Sequence, residues 1–218
     1  MAESESAEMY LKTIFEFDGE AEPVAISRVA ERLGVSAVSA TEMMKRLGER
    51  ELLIHTPYKG VQLTDLGRRR ALNVVRRHRL WERFLVEHLG VAWERAHDLA
   101  CQLEHATADE VTEGLAAFLG HPGTCPHGNP IPSPDGALDV PADVALSEMG
   151  IGDSGVISRI YREETTLLEY LAERRIYPNT PIQVEDIAPY NGPLTVSVDG
   201  TEHVLGRGIG AHILVKRA

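Results

Sequence analysis

The run at 97–105, HDLACQLEH, limits what this chain can fold into more than any other stretch. Read as a helix, it sets His97, Cys101, Glu104 and His105 at i, i+4, i+7 and i+8. Those offsets share one face, because a helix turns once per 3.6 residues. A face with this spacing is normally apolar and turned towards a core. Here it carries four residues of metal-ligand type, so the fold must bring something other than hydrocarbon against it. Taken singly, Cys101 reads as a buried thiol and His97 or His105 as a hydrogen-bonded imidazole. Taken as one stripe, they read as a metal site. His78 and Glu82 repeat the i, i+4 spacing one helix earlier, where an isolated pair would be only a surface contact. Cys125 and His127 form a CxH pair in a loop and read as packing rather than as ligands.

The chain has 218 residues, 43% hydrophobic and 25% charged, which suits one large or two small globular domains. No apolar run approaches the ~20 residues of a membrane helix. The acidic start MAESESAEMYLKTIFEF lacks the basic-then-apolar order of a secretory signal, so a cytoplasmic location is expected, with no membrane partner. Two cysteines, Cys101 and Cys125, are no disulfide framework. The net charge of −11 argues against nucleic acid only until its distribution is read. Residues 25–79 carry twelve Lys/Arg against five Asp/Glu, a local +7 inside an otherwise acidic chain. That is the electrostatic footprint of a nucleic-acid-binding module.

The pattern predicts a helix over 6–18, a break at Pro23, and a short helix carrying Ile26, Val29, Ala30 and Leu33 that stops at Gly34. Ser36 then N-caps a helix to about Arg50. Two short helices joined by a tight Gly-containing turn are a helix-turn-helix. The β-rich runs 52–55 and 61–64, joined by TPYKG, make a hairpin wing. A long helix follows from Thr64 or Asp65 to Gly90, then helices over 92–105 and 109–119. Residues 121–145 are rich in Pro and Gly and read as a linker. Beyond 146, five short strands and one helix (166–174) suggest a small β-barrel. The fold class is therefore mainly α with α+β parts. Its expected domains are a winged helix-turn-helix (1–73), a helical dimerisation and metal-binding domain (74–120), the linker (121–145) and the barrel (146–218).

These pieces, in this order, resemble the diphtheria toxin repressor family of metal-dependent transcriptional regulators (DtxR, IdeR, MntR). AEMYLKTIFEF, the winged helix, GRRRALNVVRRHRLWERFL, HDLACQLEH and PHGNPIP carry the resemblance. It implies that the last domain is an FeoA-like barrel of the Src homology 3 type. It implies a primary metal site of Met9, Cys101, Glu104 and His105, and a second of His78, Glu82 and His97. Arg79 and Asn129 match positions that hold an anion beside that second site in some members. Some members add a Glu and a Gln from the barrel; an ungapped placement puts Arg159 and Arg162 there, which cannot ligate, unless the alignment slips to Glu163 or Glu164.

The resemblance implies a repressor of metal-homeostasis genes, not an enzyme, acting as a homodimer on double-stranded operator DNA, with up to two dimers per operator. Two sites per subunit would take Fe(II) or Mn(II). Met9 and Cys101 lean the primary site towards iron, and Zn, Co or Ni can substitute in vitro. Trp81, Phe84, Leu85, Trp93, Leu99 and Leu103 are the candidate dimer contacts. Base-edge candidates are Ser36, Ser39, Thr41 and Glu42; Arg28, Lys45, Arg46, Arg50 and Lys59 are phosphate candidates. Glu42 and Val38 stand where iron-regulating members often show Gln and Pro, so the operator sequence does not transfer. The alternatives are a manganese-specific regulator of the same family and, in another class, a zinc metallohydrolase. The chain has no HExxH and no nucleophilic triad to support the latter.

Overall fold

The computed structural model describes residues 4–17 and 23–218. Position 18, the expected end of the first helix, lies outside them. The chain divides into two compact units. One runs to Arg77 and takes in Pro132–Ala137; the other comprises His78–Ile131 and Leu138–Ala218.

The first unit holds α1 (Glu5–Phe17), α2 (Ile26–Leu33), α3 (Ala37–Glu49), β1 (Leu53–Thr56), β2 (Gly60–Leu63) and the first part of α4 (Asp65–Glu87). Its core is Leu11, Ile14, Val29, Ala40, Met44, Leu47, Leu53, Val61 and Ala71, drawn from every element. The turn between α2 and α3 is built as its residues dictate. Gly34 takes the left-handed conformation (φ 63°) that ends a helix cheaply only at glycine. Ser36 Oγ accepts the Ser39 amide at 3.1 Å, capping α3. The wing pairs Leu53 with Leu63 and Thr56 with Gly60 in antiparallel register. Thr64 Oγ1 accepts the Gly67 amide and donates to the Glu51 carbonyl, starting α4 hard against the wing. A Cβ at Gly67 would lie 1.8 Å from the Leu52 carbonyl oxygen, so this approach requires glycine. The far end of the unit is tied by Arg77 to Glu8 at 2.6 Å and by Arg76 Nη1 to the Pro132 carbonyl at 2.9 Å.

The second unit begins with the rest of α4. A single 3-10 turn (Trp93–Arg95) leads into α5 (Ala96–Leu103), and α6 (Asp109–Phe118) follows. The helix expected over 92–105 is thus shorter. Glu104 and His105 fall in the turn after α5, although the Glu104 amide still bonds the Ala100 carbonyl at 2.9 Å. The remainder is a six-stranded antiparallel sheet, β3 (Val144–Ala145), β4 (Ser154–Ile160), β5 (Pro181–Ile187), β6 (Leu194–Val198), β7 (Thr201–Leu205) and β8 (Ile213–Arg217), in the order β3-β8-β4-β5-β6-β7. Two helices, α7 (Thr165–Glu173) and the four-residue α8 (Arg207–Gly210), lie among the strands in sequence. Ile157, Ile160, Leu168, Leu171, Val184, Val196, Ile213 and Val215 form the core. β3 has two residues, too few for a propensity signal, so only five strands are visible in the sequence. The pairing is that of an open sheet; among the described residues nothing pairs β3 with β7 to close a barrel.

Candidate metal centre

Four segments of the second unit meet around one buried cluster: the end of α4, α5 with its following turn, the loop at 123–131, and the turn between β4 and α7. α4 supplies His78 and Glu82, 2% and 0% exposed. Their i, i+4 spacing stacks them, with His78 Nε2 at 3.0 Å from Glu82 Oε1. α5 brings His97, whose Nδ1 lies 3.1 Å from His78 Nε2. Cys101 follows one turn later, its Sγ 3.7 Å from His97 Nε2 and 3.9 Å from His78 Nδ1. Glu104 is buried. Its Oε2 meets His78 Nδ1 at 2.5 Å, and its Oε1 meets His105 Nε2 at 3.2 Å.

Two contributions lie outside the expected ligand sets. The first is Glu163, from the turn after β4, which the sequence offers only through a slipped alignment. Its Oε2 is 3.0 Å from His97 Nδ1 and 3.7 Å from His78 Nε2. The second is the pair Cys125 and His127, read from sequence as packing. His127 Nδ1 lies 3.3 Å from Glu82 Oε1 and 3.5 Å from Glu163 Oε1, and Cys125 Sγ lies 3.6 Å from Glu163 Oε1. The loop is pinned by its own backbone: the Cys125 amide bonds the Asn129 carbonyl, and the Gly128 amide bonds the Cys125 carbonyl. Gly128 has φ 86°, and a Cβ there would meet the Ser158 carbonyl oxygen at 2.1 Å. Asn129 Nδ2 donates to Glu163 Oε1 at 2.6 Å and to the Ile160 carbonyl at 2.8 Å, aiming the carboxylate inward. Arg79, its partner in the expected anion site, donates to the Pro130 carbonyl at 2.5 Å. Arg159 and Arg162, which the ungapped placement put at the ligand positions, pair instead with Asp143 and Glu164.

The hydrogen bonds set the ring orientations. His127 Nε2 faces the Trp93 carbonyl at 3.0 Å. A carbonyl only accepts, so that nitrogen carries a proton and Nδ1 is the one turned to the cluster. His78 Nδ1 faces the Glu104 carboxylate, leaving Nε2 for the cluster, the carboxylate–histidine relay common behind metal-ligating imidazoles.

Without an ion, protons balance the charge. Burial opposes ionisation of Glu82, as does the neighbouring charge of Glu163, yet His78 and His127 hold it well below the usual carboxylate range. Burial is likewise overcome at Glu163, by bonds from His127, His78 and His97. Burial disfavours charge on His97 as well; bonds to Cys101, Glu163 and Glu82 win and push it up to about 11. His127 is raised well above its ordinary value against its own burial, chiefly by the Glu82 charge. Burial, and then the charges of Glu82 and Glu163, push the Cys125 thiol up to about 12. Ligand atoms must be deprotonated to bind a metal, so an ion here replaces protons.

The residues fit a divalent cation. Glu82 is fully buried, and its Oε2 has no hydrogen-bond partner, an arrangement that is costly unless something electropositive takes the oxygen. Imidazole, carboxylate and thiolate together suit Mn(II), Fe(II), Co(II) or Zn(II). Among the described residues, three overlapping sets bring ligand atoms within 4.8 Å of one another: His78, His97 and Cys101; His78, Glu82, His97 and Glu163; and Glu82, Cys125, His127 and Glu163.

In the first unit Met9 sits on α1 and is 41% exposed. Of the DNA-contact candidates, Ser36, Ser39, Thr41, Glu42, Lys45, Arg46, Arg50 and Lys59 are exposed along α3 and the wing. The Thr41 hydroxyl is engaged with the Ala37 carbonyl at 2.7 Å, and the Arg28 guanidinium stacks over Phe17 at 4.2 Å. Among the expected dimer contacts, Trp93 packs inside the second unit, its Nε1 donating to the Pro126 carbonyl and its ring 5.1 Å from Tyr177. Phe118, 64% exposed, stands 5.9 Å from Phe84.

A winged helix, a buried cluster of His, Cys and Glu, and a small antiparallel sheet domain together define a metal-responsive DNA-binding regulator. Three family descriptions match in sequence: the iron dependent repressor N-terminal DNA binding domain over residues 3–61, the iron dependent repressor metal binding and dimerisation domain over 64–133, and the FeoA domain over 144–217. The iron-dependent repressor IdeR of Mycobacterium tuberculosis is 32% identical over 212 residues, covering 92% of this chain and 91% of that protein. The diphtheria toxin repressor of Corynebacterium diphtheriae is 30% identical over 208 residues, covering 91% of each. A solved manganese-dependent transcriptional repressor in complex with manganese superposes with a TM-score of 0.91 at 38% identity, covering 97% of this chain and all of that one. The chain belongs to the iron-dependent repressor family, whose members are transcriptional regulators and not enzymes. No described helix is long and apolar enough to cross a membrane.

Proposed function

We propose that this chain is a repressor whose affinity for operator DNA is set by Fe(II) or Mn(II). The observation that carries the reading is the buried cluster around Glu82, where a fully covered carboxylate oxygen has no partner and three imidazoles converge. Cys101, Glu104 and His105 supply one metal position, and Met9 enters it through the family pattern. His78, Glu82 and His97 supply the second, with Glu163 as a further ligand.

The protein acts as a homodimer. The exposed face of α3 enters the major groove, with Ser36, Ser39 and Glu42 near base edges and Lys45, Arg46, Arg50 and Lys59 at phosphates. Two recognition helices must stand about 34 Å apart to reach successive grooves. Metal selects the arrangement with that spacing, a shift of population rather than a contact with DNA. A coupling of about 3 kcal/mol corresponds to a ~150-fold change in affinity. The genes controlled are those of metal homeostasis, and one operator takes up to two dimers.

A mobility-shift titration of the full chain on its own promoter DNA, with Fe(II) under anaerobic conditions or with Mn(II), tests this. Metal is expected to tighten binding ~100-fold, and chelator to reverse it. The variants Cys101→Ala, His105→Ala and Met9→Ala are expected to stay folded and lose the response. DNA binding indifferent to chelator overturns the reading.

A further inference from the structure

We propose that Tyr58, at the tip of the wing, is a DNA-contact residue. Its hydroxyl donates to a backbone phosphate beside the major groove that α3 enters, and its ring covers the adjoining sugar. The inference rests on the DNA-binding reading above and adds a contact from a residue that has no role inside the fold.

The wing tip is a tight turn over Thr56–Lys59, closed by the Lys59 amide on the Thr56 carbonyl at 3.1 Å. Pro57 stands second in the turn and Tyr58 third. Tyr58 has φ 63°. A positive φ straight after a proline marks a type II turn, whose third position asks for glycine or asparagine. For a bulky side chain that conformation is uncommon and strained. The chain does place glycine where packing demands it. At Gly60, two residues on, a Cβ would lie 2.2 Å from the Val24 carbonyl oxygen. At 58 it keeps a tyrosine where glycine would be at ease. Nothing inside the protein offsets the strain. Tyr58 is wholly exposed, at 108% of its reference area. Among the described residues no hydrogen bond, ion pair or ring contact reaches its side chain. A strained residue with no internal partner points to a role outside the fold.

The tip stands on a firm base. β2 pairs with β1 on one side and with Val24 on the other, where Val24 and Val61 exchange amide–carbonyl bonds of 2.8 and 2.9 Å. Leu53 and Val61 share one core with Ala40, Met44 and Leu47 of α3, so the wing and the recognition helix are packed as one body. Charge then selects the partner. Lys59 follows Tyr58, and Lys45, Arg46 and Arg50 are exposed along α3 and at its end. A surface of this sign attracts phosphate. Tyrosine suits the same backbone, because its hydroxyl donates to phosphate oxygen and its rigid ring gives contact area at little entropic cost. Tyr190 is the comparison within the chain. It shares the positive φ (58°) and the exposure (103%), but the strand before it carries exposed Glu185 and Asp186, which repel phosphate.

The test uses the full chain loaded with Mn(II). Affinity is read by fluorescence anisotropy on its own promoter DNA and on an unrelated fragment of equal length. Tyr58→Gly is expected to weaken binding to both by ~10–30-fold, each of two wings losing a hydrogen bond and its packing. The slope of log affinity against log salt should not change, because tyrosine is neutral. Tyr58→Phe keeps the ring and should lose ~5-fold. Hydroxyl-radical footprinting should show sugars that wild type protects and Tyr58→Gly leaves open. In urea the Tyr58→Gly midpoint should hold or rise, since glycine relieves the turn. Tyr190→Gly should leave DNA binding unchanged. Equal affinity of Tyr58→Gly and wild type overturns the wing contact and leaves the repressor reading standing. A lowered urea midpoint also overturns it, by making the tyrosine structural, as does a loss confined to promoter DNA, which would mean base readout. Binding by the unsubstituted chain that ignores metal and chelator overturns the metal switch, without altering what the variants say of the contact.

Discussion

Asp143→Asn probes the frame that holds Glu163 without touching a ligand. The Asp143 side chain is 2% exposed and that of Arg159 is 11%. Arg159 Nε and Nη2 donate to the two carboxylate oxygens at 2.8 and 2.9 Å, and Ser158 Oγ adds a third bond at 2.6 Å. Asparagine keeps one acceptor but turns an NH2 towards a guanidinium that can only donate. Losing a charged hydrogen bond costs about 1.5–3 kcal/mol, and stranding one partner of a buried pair about 3–5. With Arg159 still touching water, the expected loss is about 2–4 kcal/mol. Urea unfolding followed by Trp93 fluorescence reads it, because Trp93 packs against the core of the same sheet. With a slope of about 2 kcal/mol per molar urea, the midpoint should fall by roughly 1–2 M. The pH dependence has a definite sign. Burial works against the Asp143 charge, but the bonds from Arg159 and Ser158 outweigh it and hold the group below its ordinary value. A depressed carboxylate stabilises above its unfolded value, near 3.9, and that stability is lost as the pH falls through the folded value. The gap between wild type and variant should therefore be full at pH 6–8 and close below about pH 4. A gap under about 0.5 kcal/mol at pH 7, or one undiminished at pH 3, refutes the reasoning.

Gly128→Ala should displace the loop bearing Cys125 and His127, because the new Cβ collides with backbone at Ser158; Mn(II) affinity measured by calorimetry should fall at least ~10-fold while the protein stays folded. Replacing both Lys45 and Arg46 by Ala should weaken binding to all DNA sequences alike and reduce the slope of log affinity against log salt by about 2. Ile157→Ala, fully buried in the sheet core, should cost about 2–5 kcal/mol in the same urea assay.

What was legible in the sequence is what is local. Gly34, Ser36 and the TPYKG turn specify their own geometry, so the winged helix follows from neighbours along the chain. The i, i+4 spacing of His78 and Glu82 likewise survives folding unchanged. Glu163 was legible only as one of two alternatives to a misplaced arginine pair, because it lies 66 residues from His97 and nothing periodic marks it. Its arginine neighbours, aligned to the ligand positions, are held by Asp143 and Glu164. Cys125 and His127 sit in a Pro/Gly-rich loop, where periodicity has nothing to say. The signal that was available was chemical: two ligand types beside an HGN turn whose glycine requires a positive φ. The sheet order, with β8 between β3 and β4, depends on pairings some sixty residues apart and was out of reach for the same reason.

Glu163 comes from the sheet domain, in the turn after β4, whereas His78, Glu82 and His97 come from the helices that precede the linker. A metal shared by these residues, as proposed above, would also clasp these segments together. Linkage makes the effect mutual: if an ion steadies the sheet against the helices by some factor, the sheet's presence raises ion affinity by the same factor. A ligand or protein that drew the sheet aside would release metal, and through it DNA, without touching either site. Substitutions confined to the last 75 residues could then retune the metal threshold of the switch while the recognition helix and its operator stayed unchanged.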